Sequence, residues 1–149
     1  MGSTFDLFKS AERIEALAGA IYGALANQFC DDEPTRAMFA KLEAEELQHA
    51  SRVRLLAGAY RADSKLIGRV AGAAELEGCC AAAEAALAEV LAGAWAQDLA
   101  GIKRRLAVLE LDMAKAHAHF LSQDGHPGLR DFFRQLADQD DAHLALLEP

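Results

Sequence analysis

The sequence predicts an all-α protein: an antiparallel four-helix bundle made of two helix hairpins joined by a long crossover. Three observations carry that expectation. Apolar side chains recur at steps of three and four rather than two, Ala and Leu dominate while only three prolines occur, and one spacing of apolar, acidic and imidazole residues appears twice. No stretch alternates strictly enough to be a strand. At 149 residues the chain reads as one domain, 1–149, able to bury a core without disulfides.

The elements follow in order. A first helix is expected from near Ser10, a capping residue type, to about Phe29. In it Glu15 keeps phase with Ala18, Tyr22, Leu25 and Phe29. "CDDEPT" supplies Asp and Pro signals for a turn, and a second helix runs from about Thr35 to Tyr60. Its seam passes through Phe39, Leu42, Val53, Leu56 and Tyr60, but Glu46 and His49 stand where leucines belong. The Ala- and Gly-rich segment 61–97 has no clean seam and is read as a partly helical crossover. A third helix ends near Ser122, with Glu110 in phase with Leu106, Met113 and Phe120. "SQDGHPG" marks a turn, and the last helix spans about Leu129 to Leu147. There Asp140 and His143 interrupt a seam of Leu129, Phe133, Leu136 and Leu147.

The halves repeat one another. Phe39, Leu42, Glu46 and His49 have the same spacing as Phe133, Leu136, Asp140 and His143. Short turns make each half a hairpin, and a four-helix bundle closes both apolar faces. Glu15 and Glu46 lie roughly 15 residues either side of the first turn, and Glu110 and Asp140 roughly 15 either side of the second, so at about 1.5 Å per residue each pair is level. Four carboxylates and two imidazoles are therefore expected in one core layer.

Such a layer is costly unless compensated. One unpaired buried carboxylate costs several kcal/mol against the ~5 to 15 kcal/mol that holds a domain folded. No Lys or Arg shares the seams at that depth. Two divalent cations would balance four carboxylates, with His49 and His143 as neutral donors. Carboxylates with one imidazole per metal, carried as acid-x-x-His, suit iron or manganese, whereas structural zinc more often recruits thiolates.

Composition excludes other classes. The net charge of −8 and pI near 5.0 argue against a nucleic-acid surface, and "IKRRL" (102–106) reads as a solvated helix face. No apolar run reaches membrane-spanning length and no signal-peptide order opens the chain, so a cytoplasmic location without membrane attachment is expected. Cys30, Cys79 and Cys80 fit reduced thiols better than a disulfide framework.

With these residues in view the chain resembles the ferritin-like di-iron carboxylate proteins, especially the rubrerythrin and bacterioferritin branch, over roughly 8–60 and 98–148. Glu15 followed seven residues later by Tyr22 matches that family's first helix, "EELQHA" its second, "LELDMA" its third and "ADQDDAHL" its fourth. The resemblance implies two iron ions, with manganese or zinc as substitutes. It makes Glu46 a bridging carboxylate, His49 and His143 terminal nitrogen ligands, Glu110 a terminal carboxylate, and Asp140 the occupant of the second bridging position. Asp140 is one methylene shorter than the usual Glu, so its bridge is longer, monodentate or absent. Met113 stands where rubrerythrins place a further carboxylate, which puts their peroxide chemistry in question, and no rubredoxin-type module follows. His117 takes the place in the second half that Tyr22 takes in the first; it either hydrogen-bonds a ligand or binds metal itself.

The remaining expectations concern surroundings and use. Tyr22 packs in the core, with a hydroxyl placed to hold a ligand carboxylate or a bound oxygen species. Glu43, Glu45, Asp138 and Asp141 lie off the seams and should be solvated, and His119 and His126 read as exposed. Ala18, Gly19 and Ala114 would leave room for a small oxidant. The expected activity is oxidation of bound Fe(II) by O2 or peroxide, with electrons from the iron or a separate donor protein; ferroxidase and peroxidase chemistry are not separated by these residues. The alternatives are a non-catalytic metal-binding module whose second position is degraded by Asp140, and a metal-free structural bundle. Leu66, Ile67, Leu87, Leu91 and Trp95 offer more apolar surface than one bundle needs, which points to a homodimer or larger.

Overall fold

Five α-helices and no strand make up the described residues of the computed structural model, which are 4–62, 73–95, 98–121 and 127–148. The helices are α1 (Thr4–Gln28), α2 (Glu33–Ala62), α3 (Ala73–Leu91), α4 (Leu99–Leu121) and α5 (Pro127–Leu146). Leu66, Ile67 and His126 lie outside the described residues, as do the side chains of Tyr60, His119, Phe120 and Leu129. Among the described residues no helix is long and apolar enough to cross a membrane.

The ends of the helices follow from local chemistry. α1 begins at Thr4, one and a half turns before the expected cap at Ser10, because Leu7 and Phe8 continue its apolar stripe and are buried. Ser10 sits inside the helix, and its carbonyl accepts the Cys80 thiol at 3.5 Å. α2 starts at Glu33 rather than Thr35. Asp32 is its cap, accepting the Thr35 hydroxyl at 2.8 Å, while Pro34 tolerates a first turn where backbone N–H groups have no partner. Asp98 caps α4 by accepting the Gly101 amide at 2.6 Å.

α1 pairs along α2 and α4 along α5, while α3 lies against both α1 and α4. The crossover thus contributes a helix to the core, burying Leu76, Cys79, Cys80, Ala83 and Val90. Its small side chains explain why no seam is visible in its sequence. α3 ends in a Schellman turn: the Ala94 amide donates to the Glu89 carbonyl (2.9 Å), the Gly93 amide to the Val90 carbonyl (3.0 Å), and Gly93 adopts φ 72°. The turn delivers Trp95 into the core, where its indole N–H donates to Glu89 at 2.7 Å and its carbonyl accepts Gln28 at 3.1 Å. Trp95 therefore serves the fold itself rather than the outer surface, and Leu87 packs partly against the core. Leu91 remains 71% exposed. All three cysteines are free thiols.

The seams are buried as their period requires. Phe39, Leu42, Val53, Leu106, Met113, Phe133 and Leu136 are fully buried. Each such side chain contributes roughly 1.5–3 kcal/mol by leaving water. Glu15, Glu46, Glu110, His117 and Asp140 occupy the same stripes and are also fully buried, with His49 and His143 at 3% and 2% exposure. A layer of the core gives up that apolar gain to hold ionisable groups.

Candidate metal centre

α1, α2, α4 and α5 bring the six expected residues together at one depth. Two groups form, each with ligand atoms all within 4.8 Å of one another: Glu15, His49 and Asp140 in the first, and Glu46, Glu110 and His143 in the second. Each group draws on both halves of the chain. His49 Nδ1 lies 3.1 Å from Glu15 Oε2 and 3.2 Å from Glu46 Oε2, while His143 Nδ1 lies 2.9 Å from Glu46 Oε1 and 3.4 Å from Glu110 Oε1. The two imidazole rings stack across the centre, 5.6 Å apart and 17° from parallel.

These distances fit a coordination sphere. Donors held at about 2.1 Å from one ion stand roughly 3 to 4 Å from each other. Several of the atoms are also poorly served by protein partners: Glu15 Oε1, Glu46 Oε1, Glu110 Oε2, Asp140 Oδ1 and His143 Nδ1 are buried without a hydrogen bond. His143 Nδ1 and Glu46 Oε1 are close enough to pair, yet they are not aligned for it. Buried polar atoms are rarely left so, and a cation between them is the partner that would satisfy them all.

The surroundings complete a pseudo-symmetric pattern. Tyr22, seven residues after Glu15, donates its hydroxyl to Glu110 Oε1. His117, seven residues after Glu110, reaches back to Glu15, with Nε2 3.1 Å from Oε1, and its other nitrogen donates to Asp140 Oδ2 at 2.7 Å. Each half thus supports the other's terminal carboxylate. Gly19 belongs to the same layer: a Cβ there would stand 3.4 Å from both Glu46 Cβ and Leu47 Cδ2. The missing side chain lets α2 approach α1, and the expected room for an oxidant at Gly19 is taken by that approach.

Three imidazoles change the charge balance. Burial pulls each toward the neutral form, but the carboxylates against them win: Glu15 and Glu46 hold His49 at about 9, Asp140 and Glu15 hold His117 at about 10, and Glu110 and Glu46 hold His143 at about 11. Burial raises Glu46, Glu110 and Asp140, the last to about 6. Burial also acts on Glu15, yet the His117 and His49 imidazoles set against it keep it below the usual carboxylate range. With protein groups alone, protons on histidine offset much of the negative charge, so cations are not the sole means of neutralising it. The seams hid this because they treat His49 and His143 as neutral and leave His117 aside.

One residue was missed outright. Glu45, expected in solvent, is only partly exposed, and its Oε2 accepts His143 Nε2–H at 3.0 Å. His143 is thereby fixed with Nδ1 facing the centre, the arrangement by which a carboxylate orients a metal-binding imidazole. Among the described residues His49 Nε2 has no such partner. Asp138 and Asp141 are exposed as expected, and Glu43 is half-buried. Glu45 was legible only as the first acid of "EELQH", a position off the seam of its own helix but facing α5. Comparisons of the chain with protein-family models, curated proteins and solved structures found no match, so the reading of this centre rests on its own chemistry.

Proposed function

We propose that the chain is a ferritin-like carboxylate protein of the cytoplasm that holds two iron ions within a four-helix bundle formed by α1, α2, α4 and α5. The proposed reaction is oxidation of Fe(II) by O2 or peroxide, ferroxidase- or peroxidase-like, with electrons from the iron or from a separate donor protein. The observation that carries it is the pair of buried three-donor groups, in which Glu15 Oε1, Asp140 Oδ1, Glu46 Oε1, Glu110 Oε2 and His143 Nδ1 have no hydrogen-bond partner. Glu15, His49 and Asp140 would hold one ion, and Glu46, Glu110 and His143 the other. Mixed carboxylate and imidazole donors suit iron or manganese, and zinc would enter without redox chemistry. Iron supplies one-electron chemistry toward a small oxidant. The chain supplies burial that excludes bulk water, Tyr22 to fix one oxygen of Glu110, and Glu45 to fix the His143 ring. Exposed Leu47, Leu55, Leu91 and Val108 favour assembly into a homodimer or larger.

A second reading has its own support. His49, His117 and His143 already face the carboxylates, so a metal-free structural bundle is electrostatically accessible. Metal analysis of protein from iron-replete cells, then anaerobic Fe(II) titration and an oxygen pulse, separates the two. The di-iron reading expects two ions per chain and an absorbance change on oxygenation. Absence of bound metal, with a melting temperature indifferent to Fe(II), would establish the structural bundle instead.

A further inference from the structure

The repeat places Glu46 and Asp140 at equivalent points of α2 and α5, but the two carboxylates are used differently. Glu46 turns one oxygen to each imidazole: Oε2 to His49 Nδ1 at 3.2 Å and Oε1 to His143 Nδ1 at 2.9 Å. Symmetry would have Asp140 contact His143, three residues on in its own helix. Asp140 makes no hydrogen bond or ion pair with His143 or His49, although its donor atom lies within 4.8 Å of that of His49. Its Oδ2 instead accepts from His117 at 2.7 Å, and its Oδ1 is left buried without a hydrogen bond. His117 is fully buried, its ring lies 6.0 Å from that of Phe133, and its second nitrogen stands 3.1 Å from Glu15 Oε1. It touches two members of the same donor group and none of the other.

From this asymmetry we propose that Glu46 is the only carboxylate joining the two metal positions, and that His117 is a positioning residue holding Asp140 as a one-oxygen ligand of the Glu15–His49 position. The inference rests on the two-metal reading above. The missing methylene supplies the physical cause. An aspartate reaches roughly 1.5 Å less far from its helix than a glutamate, which favours one ion rather than two. An imidazole on the spare oxygen then fixes which oxygen faces that ion. Tyr22 differs, because its hydroxyl donates to the terminal carboxylate Glu110 rather than to Glu46 or Asp140.

The consequence is two positions of unequal build, which stepwise Co(II) binding to the full-length protein under anaerobic conditions reads directly through visible absorbance. The wild-type chain should bind two ions. His117→Phe should weaken one step by about 10- to 100-fold and leave the other within about twofold, and His117→Gln, which keeps an N–H donor, should recover part of the loss. Asp140→Asn should weaken the same single step, whereas Glu46→Gln should weaken both. Circular dichroism of each variant confirms that the helices persist. Equal weakening of both steps by Asp140→Asn, or two unchanged steps in His117→Phe, would overturn the inference while leaving the two-metal reading intact. A wild-type chain that binds no Co(II) and no Fe(II) would remove both.

Discussion

The hairpin α1–α2 and the hairpin α4–α5 present the same register and different chemistry. Glu15, Tyr22, Glu46 and His49 in the first correspond to Glu110, His117, Asp140 and His143 in the second. Burial preserves the correspondence, since all eight are 3% exposed or less. Contacts do not. Glu46 pairs with both imidazoles, whereas among the described residues Asp140 pairs only with His117, and Glu45 backs His143 with no described counterpart behind His49. A repeat thus fixes where side chains stand, while one methylene and one ring exchange decide what each side chain does there.

The largest effect expected from this comparison comes from Glu46→Ala, which should abolish paired metal binding in a titration. If Glu46 serves only one position, one ion will still bind with wild-type affinity, and the assigned asymmetry fails. Next in size is metal removal. An ion present at about 100 times its dissociation constant stabilises the fold by about 2.7 kcal/mol, so chelation should lower the melting temperature by roughly 5–10 °C in a calorimetric scan. No shift would favour the structural bundle.

The pH response should sharpen the same contrast. Contacts with carboxylates raise the folded values of His49, His117 and His143 to about 9, 10 and 11. Their contribution to the stability of metal-free protein is complete below the ordinary histidine value and is lost as pH rises through about 9 to 11. Asp140, raised to about 6 by burial, gives a contribution complete below its ordinary value and lost as pH rises toward 6. Melting of metal-free protein against pH should therefore fall in both windows, and metal-loaded protein should fall less. At neutral pH, binding should release about two protons, from His49 and His143, measurable in weakly buffered solution. The smallest effect belongs to Glu45→Ala, which should weaken the His143 position about tenfold and spare the other. Unchanged affinity would return Glu45 to the solvated role its position off the seam suggested.

How much of this was legible follows from which signals are one-dimensional. Glu15, Glu46, His49, Glu110, Asp140 and His143 were found because a buried helical face repeats at fixed steps, so a polar residue on that face announces itself. α3 was visible only as partial helix, since Ala83 and the paired cysteines bury little side chain and mark no seam. Glu45 escaped because it leaves its own seam to reach across to α5, a contact set by the spacing of two helices. The division of labour between Glu46 and Asp140 escaped for a similar reason: both occupy the same register, and only the direction of each oxygen tells them apart. His117 adds a third imidazole whose proton offsets part of the carboxylate charge, a contribution that its place on the seam does not announce.

The membership of the two donor groups has a consequence for assembly. Glu15 and His49 need Asp140, and Glu46 needs Glu110 and His143, so neither hairpin owns a complete set. An ion bound there would act as a clasp between segments nearly a hundred residues apart. Separately expressed halves, mixed in solution, would accordingly find one another more tightly when the ion is present than when it is withheld.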